Sequence, residues 1–266
     1  MYPILLTTPW FNVYSYGLMM AVGYAIGTWV ILREVDRDGL PSEPVFDMLL
    51  LQMVVGVLGA RLLYLLEYSS QLATVPSFFD FEKGGLTFYG AVISSFVFDL
   101  LFLKFKGLPF WRVMDSVGIG LAVGMIFART GCFLNGCCFG VACGYPWGVV
   151  FSKVSPTPVH PTQLYEAFGG FLLFVLMKSL QHRRRSYGHL FLGFIAGYAI
   201  FRFLLEFWRG DNPVFLLGMS LSQVLGLVLL QGVALVWTQI SRSPELRVLP
   251  GTSAPGAGSN EKDKDQ

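Results

Sequence analysis

The sequence predicts an all-α integral membrane protein of about seven transmembrane helices, with the N-terminus outside, the C-terminus inside and a small extracytoplasmic cap. Three observations predict it. Only 14% of the 266 residues are charged and 54% are hydrophobic, whereas a soluble domain carries about 25% charged residues. Apolar runs of the length that crosses a hydrocarbon core, about 20 residues, alternate with short polar joints. The cations also segregate: with the N-terminus outside, thirteen of the nineteen Lys and Arg fall on inside joints and six outside, as the positive-inside bias requires. The net charge of +2 is too small, and its cations too scattered among run ends, for a nucleic-acid partner.

Taken in order, the first run is 13–32. Residues 1–12 lack a positive n-region and no small-residue cleavage site follows, so this run is expected to stay in the membrane as a helix. Arg33 and Arg37 close it on the inside. Runs 45–66, 86–104 and 111–129 follow, with Lys104, Lys106 and Arg112 marking the second inside joint. The loop 130–162, rich in Gly, Pro and aromatics, is expected to fold as a cap on the outside. Runs 163–180, 188–208 and 215–240 complete a single domain over 1–240. The tail 241–266 is small, polar and charged; it cannot bury enough apolar area to fold and is expected to be a disordered cytoplasmic tail. No internal repeat is visible.

All four cysteines, Cys132, Cys137, Cys138 and Cys143, lie within twelve residues of the outside loop. In an oxidising space they fit structural disulfides, with three possible pairings; buried free thiols or a metal or catalytic role are the other readings. The spacing C-x4-C-C-x4-C lacks the C-x2-C knuckle of common zinc sites. His182 and His189 fall on the inside, so neither metal chemistry nor another cofactor is expected.

Polar residues converge on the outside. Tyr198, Arg202 and Glu206 recur at i, i+4 and i+8, with Arg209 at i+11, and fall on one face of the sixth run. Arg202 and Glu206 can pair there, which offsets part of the cost of a charge in the membrane. That ridge reads either as a structural ion pair or as a grip on an anionic headgroup. Arg129 sits where the fourth run leaves the membrane, suited to a bidentate hold on phosphate or to interfacial anchoring. Glycines at 131, 136 and 140 let the following backbone turn and approach a ligand. His160-Pro161-Thr162-Gln163-Leu164-Tyr165-Glu166 opens the fifth run with Pro in its first turn.

In order along the chain, YSYGLM (14–19), GARLLY (59–64), GGLTFYG (84–90), ARTGCFLNGCCFG (128–140), HPTQLYEA (160–167) and GYAIFRFLLEFWRGD (197–211) resemble the bacterial prolipoprotein diacylglyceryl transferase family. The resemblance implies a seven-span enzyme of the bacterial inner membrane whose site opens on the periplasmic side. Its partners would be phosphatidylglycerol, preprolipoproteins carrying a lipobox cysteine, and the bilayer. The diacylglyceryl group would move to the cysteine sulfur, the first step of lipoprotein maturation, and glycerol phosphate would leave. On that resemblance Arg129 corresponds to the phosphate-binding arginine and Arg202 to a second essential one, with Glu206 and Arg209 beside it. Tyr16 and Tyr198 correspond to the tyrosines of spans one and six. Arg202, Tyr89, Tyr198 and Glu206 are thus the catalytic candidates, and Arg129, Arg209, Tyr16, Asn135 and Gly140 the candidates for binding the phosphatidylglycerol headgroup.

The chain departs from the family pattern at three places. Many members have His where this chain has Tyr89. A typical member has GR-x-GN-x-x-NGE where Cys132 here replaces Asn and Cys137 replaces Glu. A divergent paralogue with another acceptor is therefore the second reading. An anion or lipid transporter using the same arginines is the third, although it would more readily show repeats or paired broken helices.

Overall fold

A computed structural model describes residues 2–8, 12–67, 85–151, 155–210 and 213–248. Seven long helices run through it: α1 (Ser15–Arg37), α2 (Ser42–Glu67), α3 (Phe88–Phe105), α4 (Phe110–Asn135), α5 (Thr162–Gln181), α6 (His189–Leu205) and α7 (Leu221–Arg242). Six of them are long and apolar enough to cross a membrane. The exception is α5, whose first turns bury Thr162, Gln163 and Glu166. Three two-stranded hairpins, β1–β2 (Ile4–Thr7, Asn12–Tyr14), β3–β4 (Val149–Phe151, Ser155–Val159) and β5–β6 (Val214–Leu216, Met219–Ser220), all sit at one end of the bundle.

Helix α4 is the hub and packs against α1, α5 and α6. In lipid there is little hydrophobic drive between helices, so close backbone contact through small residues does the work. Gly23 and Gly27 of α1 meet Gly120 and Phe127 of α4. A Cβ on Gly120 would lie 2.3 Å from the Ile31 side chain and 3.0 Å from the Gly27 carbonyl. The α2–α3 pair uses the same device: a Cβ on Gly90 would come within 2.4 Å of the Gly59 carbonyl oxygen.

The end remote from the hairpins is tied by charge. Asp115 of α4 is fully buried and accepts from the backbone N–H groups of Gly188, Leu190 and Phe191 at 2.9–3.0 Å. It caps the start of α6 from a neighbouring helix, satisfying donors that would otherwise be orphaned. Arg184 reaches both Asp115 (3.7 Å) and Asp38 (2.6 Å), and Arg112 and Arg184 each lie over the Tyr187 ring. Lys178 and Gln181 both donate to buried Glu34.

Three boundaries differ from the sequence expectation. The fourth run extends to Asn135, so Gly131, Cys132 and Asn135 are helical and do not belong to the cap; the chain turns at Gly136 (φ 80°). Gly131 therefore turns nothing. The expectation failed because the Gly- and Cys-containing residues 130–135 look loop-like, yet they continue α4, which packs against α1, α5 and α6. The seventh helix begins only at Leu221, since Leu217 and Gly218 (φ 51° and 79°) form the tight turn of β5–β6, and Ser220 closes a capping box with Gln223. Ser241 and Arg242, placed in the tail, end α7. The chain then folds back, with Tyr187 N–H donating to Leu246 O (2.9 Å) and Val248 N–H to Arg185 O (3.0 Å). Residues 249–266 of the expected tail lie outside the described residues.

Candidate active site

At the hairpin end, α4, α5 and the end of α6 bring three arginines and two carboxylates together. Glu166, buried on α5, is the centre. Its Oε2 lies 2.7 Å from Arg129 Nε of α4, and its Oε1 lies 3.2 Å from Arg209 Nη1, just past the 3₁₀ turn Glu206–Trp208 that extends α6. Arg202, one turn back on α6, pairs with Glu206, and Ser220 Oγ donates to the other oxygen of Glu206 at 2.6 Å. Charges this deep need partners, because desolvation costs several kcal/mol per ion. Every cation of the group has a carboxylate. Three guanidiniums here share two carboxylates.

The loop after α4 is sewn onto this group. Thr162 Oγ1 donates to Cys138 O (2.8 Å) and Gln163 Nε2 to Cys137 O (2.6 Å). Gly140 N–H donates to His160 O and Val141 N–H to Trp208 O. Gly140 is needed for this closeness: a Cβ there would lie 2.3 Å from the Trp208 carbonyl. His160 shares a hydrogen bond with the Tyr165 hydroxyl (3.2 Å) and so serves the cap. All four cysteines are free thiols, not the disulfides that an oxidising space suggested. The Cys138 thiol is pulled down to about 5, first by hydrogen bonding from Cys132, whereas burial pushes Cys137 up.

The structure brings together Arg129, Arg202, Glu206 and Arg209, with Tyr198 close enough to act on Arg129. Asn135, the last residue of α4, lies beside the Cys137 sulfur. Tyr16 is exposed at the start of α1, its ring packed beside Gly131. Tyr89, on the first turn of α3, is 44% exposed and meets the Phe88 ring edge to face; among the described residues no ion pair or hydrogen bond ties it to the arginine group. The residue that sequence reasoning left out of the site is Glu166. Its signal was available: a Glu among the apolar residues of a long run, one turn after Gln163. Arg61, fully buried on α2, is a second charged residue left out. Its Nη1 donates to Gly85 O at 3.0 Å and fixes the approach to α3.

Comparison with known proteins gives this geometry its setting. Residues 3–238 match the family model described as prolipoprotein diacylglyceryl transferase. The chain belongs to that family. It is similar to the phosphatidylglycerol–prolipoprotein diacylglyceryl transferase of Clostridioides difficile, with 30% identity over 80% of this chain and 85% of the relative. The transferase of Methylobacillus flagellatus shares 34% over 86% and 92%. That of Vibrio atlanticus shares 33% over 88% and 90%. A multi-pass membrane transferase of this family accounts for the apolar helices, and the matched residues take in the whole arginine–carboxylate group.

Proposed function

We propose that this chain transfers the diacylglyceryl group of phosphatidylglycerol to the thiol of the lipobox cysteine in preprolipoproteins, at the periplasmic side of a bacterial inner membrane. The observation that carries the site assignment is the convergence of three guanidiniums, Arg129, Arg202 and Arg209, on only two carboxylates, Glu166 and Glu206. Guanidiniums grouped in this way supply the forked donors that recognise a phosphate.

In this reading Arg129 and Arg202 clamp the phosphate, and Arg209 adds a third donor from the end of α6. Glu166 and Glu206 keep the guanidiniums aimed when no lipid is bound, so little reorganisation is left for the reaction. The lipobox sulfur attacks as thiolate; an ordinary Cys has a pKa of about 8.5, so only a few per cent is ionised at pH 7. A sulfur–carbon bond forms at the glycerol carbon bearing the phosphate. The carbon–oxygen bond breaks, and its electron pair leaves on glycerol phosphate. The arginines stabilise the charge that develops there. Tyr198, beside Arg129, orients the headgroup or relays the thiol proton. Tyr89 can share that role only by meeting the substrate from the α3 side. Tyr16, Asn135 and Gly140 border the headgroup space at the end of α4.

The test is modification of a lipobox peptide in proteoliposomes containing phosphatidylglycerol, read by mass spectrometry. Wild type is expected to add the diacylglyceryl mass. Arg129→Ala and Arg202→Ala are each expected to lose about 100-fold or more in rate, the scale for removing one preorganised charge donor, while remaining folded in the membrane. Near-normal transfer by both variants overturns the clamp. No transfer by folded wild type, offered several lipobox peptides, points to a different acceptor.

A further inference from the structure

Cys132, Cys137 and Cys138 are five and six residues apart or adjacent, a spacing that does not by itself gather three sulfurs. The helix end does. Gly136 N–H bonds to Phe133 O, and Cys137 N–H reaches back to Cys132 O at 3.2 Å. This is the Schellman arrangement, which sets the side chains at these two positions against one another. The position before the next turn, Cys138, is also left-handed, at φ 65°, a conformation that costs a non-glycine residue about 1 kcal/mol. That second turn carries its sulfur onto the first two. Gln163 and Thr162 hold the Cys137 and Cys138 carbonyls, so two of the three cysteines are fixed from the backbone side by α5, and Cys132 is fixed by α4 itself.

We propose that Cys132, Cys137 and Cys138 form a three-thiolate binding site for a thiophilic closed-shell metal ion such as zinc(II). The three sulfurs lie within 4.8 Å of one another. Three thiolates on one zinc, with bonds of about 2.3 Å, stand about 3.8–4.0 Å apart. The group is thus within about 1 Å of the spacing a metal requires. A disulfide requires about 2.05 Å between sulfurs, and Cys137 and Cys138, neighbours with Cα atoms about 3.8 Å apart, fall short of the usual 4.4 Å minimum for one. Cys143 is excluded from the site: it is buried elsewhere in the cap, with its sulfur 4.0 Å from Tyr145 O. On binding, each thiol gives up its proton, and a dication on three thiolates carries one negative charge. Arg129 and Arg209 are close enough to act on the Cys138 sulfur and offset that charge. Three protein ligands leave a fourth position open. The inference does not depend on the transferase reading.

The experiment uses the full chain, reduced and purified in detergent, titrated with Zn²⁺ against a chromogenic chelator. One equivalent is expected to bind. Cys137→Ser and Cys138→Ser are each expected to weaken binding at least 100-fold, and Cys143→Ser to leave it unchanged. A second readout needs no variant: Zn²⁺ should slow maleimide alkylation of Cys137 and Cys138 in wild type, located by peptide mass spectrometry, without altering Cys143. Absence of stoichiometric binding to fully reduced protein overturns the proposal. So does equal loss in Cys143→Ser, or unprotected Cys137 and Cys138. A Cys132–Cys137 disulfide in protein isolated without reductant overturns it too, because it removes two of the three donors.

Discussion

Glu166 is the residue on which the arginine group balances. Its two oxygens face two different guanidiniums, from α4 and from the end of α6. Its loss therefore leaves two cations with less than their share of negative charge. Breaking a buried pair by removing one partner costs about 3–5 kcal/mol. Arg129 keeps 22% side-chain exposure and Arg209 keeps 8%, so the lower end is the reasonable figure. Glu166→Gln is expected to destabilise the protein by about 3 kcal/mol, seen as a lower midpoint of thermal unfolding in detergent. It should also raise the affinity of the group for phosphate analogues, since its net charge increases by one. An unfolding midpoint equal to wild type shows that Glu166 is not holding the two arginines.

At the scale of elements, Asp115 shows how one helix is started by another. The N-terminus of α6 has Gly188 at its cap and no capping side chain of its own. The three N–H groups bonded to Asp115 have no other route to satisfaction in a buried position. Asp115→Ala is expected to cost about 2 kcal/mol, a lost cap plus the desolvation of donors left unmade. Hydrogen exchange should locate the effect, with faster exchange at Leu190 and Phe191 and little change in α1 or α2. Uniform acceleration across the bundle contradicts a local cap. The glycine contacts of α1 with α4 and of α2 with α3 work differently. They add no polar group and simply let backbones meet, which is what lipid-solvated helices need.

For the whole molecule, the two ends carry different electrostatics. The hairpin end gathers Arg61, Arg129, Arg202 and Arg209 with Glu166 and Glu206. The other end carries Arg37, Arg112, Lys178 and the run Arg183–Arg185. A cavity of about 680 Å³ lies there too, lined in part by Arg183, Arg185, Arg247 and Trp237. Cation-rich joints stay on the cytoplasmic side, so the hairpin end is proposed to face outward. A fluorescent protein fused to the C-terminus is expected to fluoresce, and an alkaline phosphatase fused there to be inactive. The reverse pair of results inverts the topology and moves the arginine group to the cytoplasmic side.

Much of this was legible in the chain itself. Run length and the shortage of charge determined that the protein is a helical membrane protein, because a hydrocarbon core dictates both span and composition whatever the packing. The i, i+4 spacing of Arg202 and Glu206 determined their pairing, because that contact is made within one helix. What sequence order alone does not carry is contact between helices. Glu166 became the partner of Arg129 and Arg209 only once α5 lay between α4 and the end of α6. The same packing holds residues 130–135 as the last turns of α4 and brings Thr162 and Gln163 onto the Cys138 and Cys137 carbonyls. Local periodicity is set by residues a few positions apart. The contacts of Glu166 join residues far apart in the chain, 43 positions for Arg209, and only the closed tertiary structure decides that they are made.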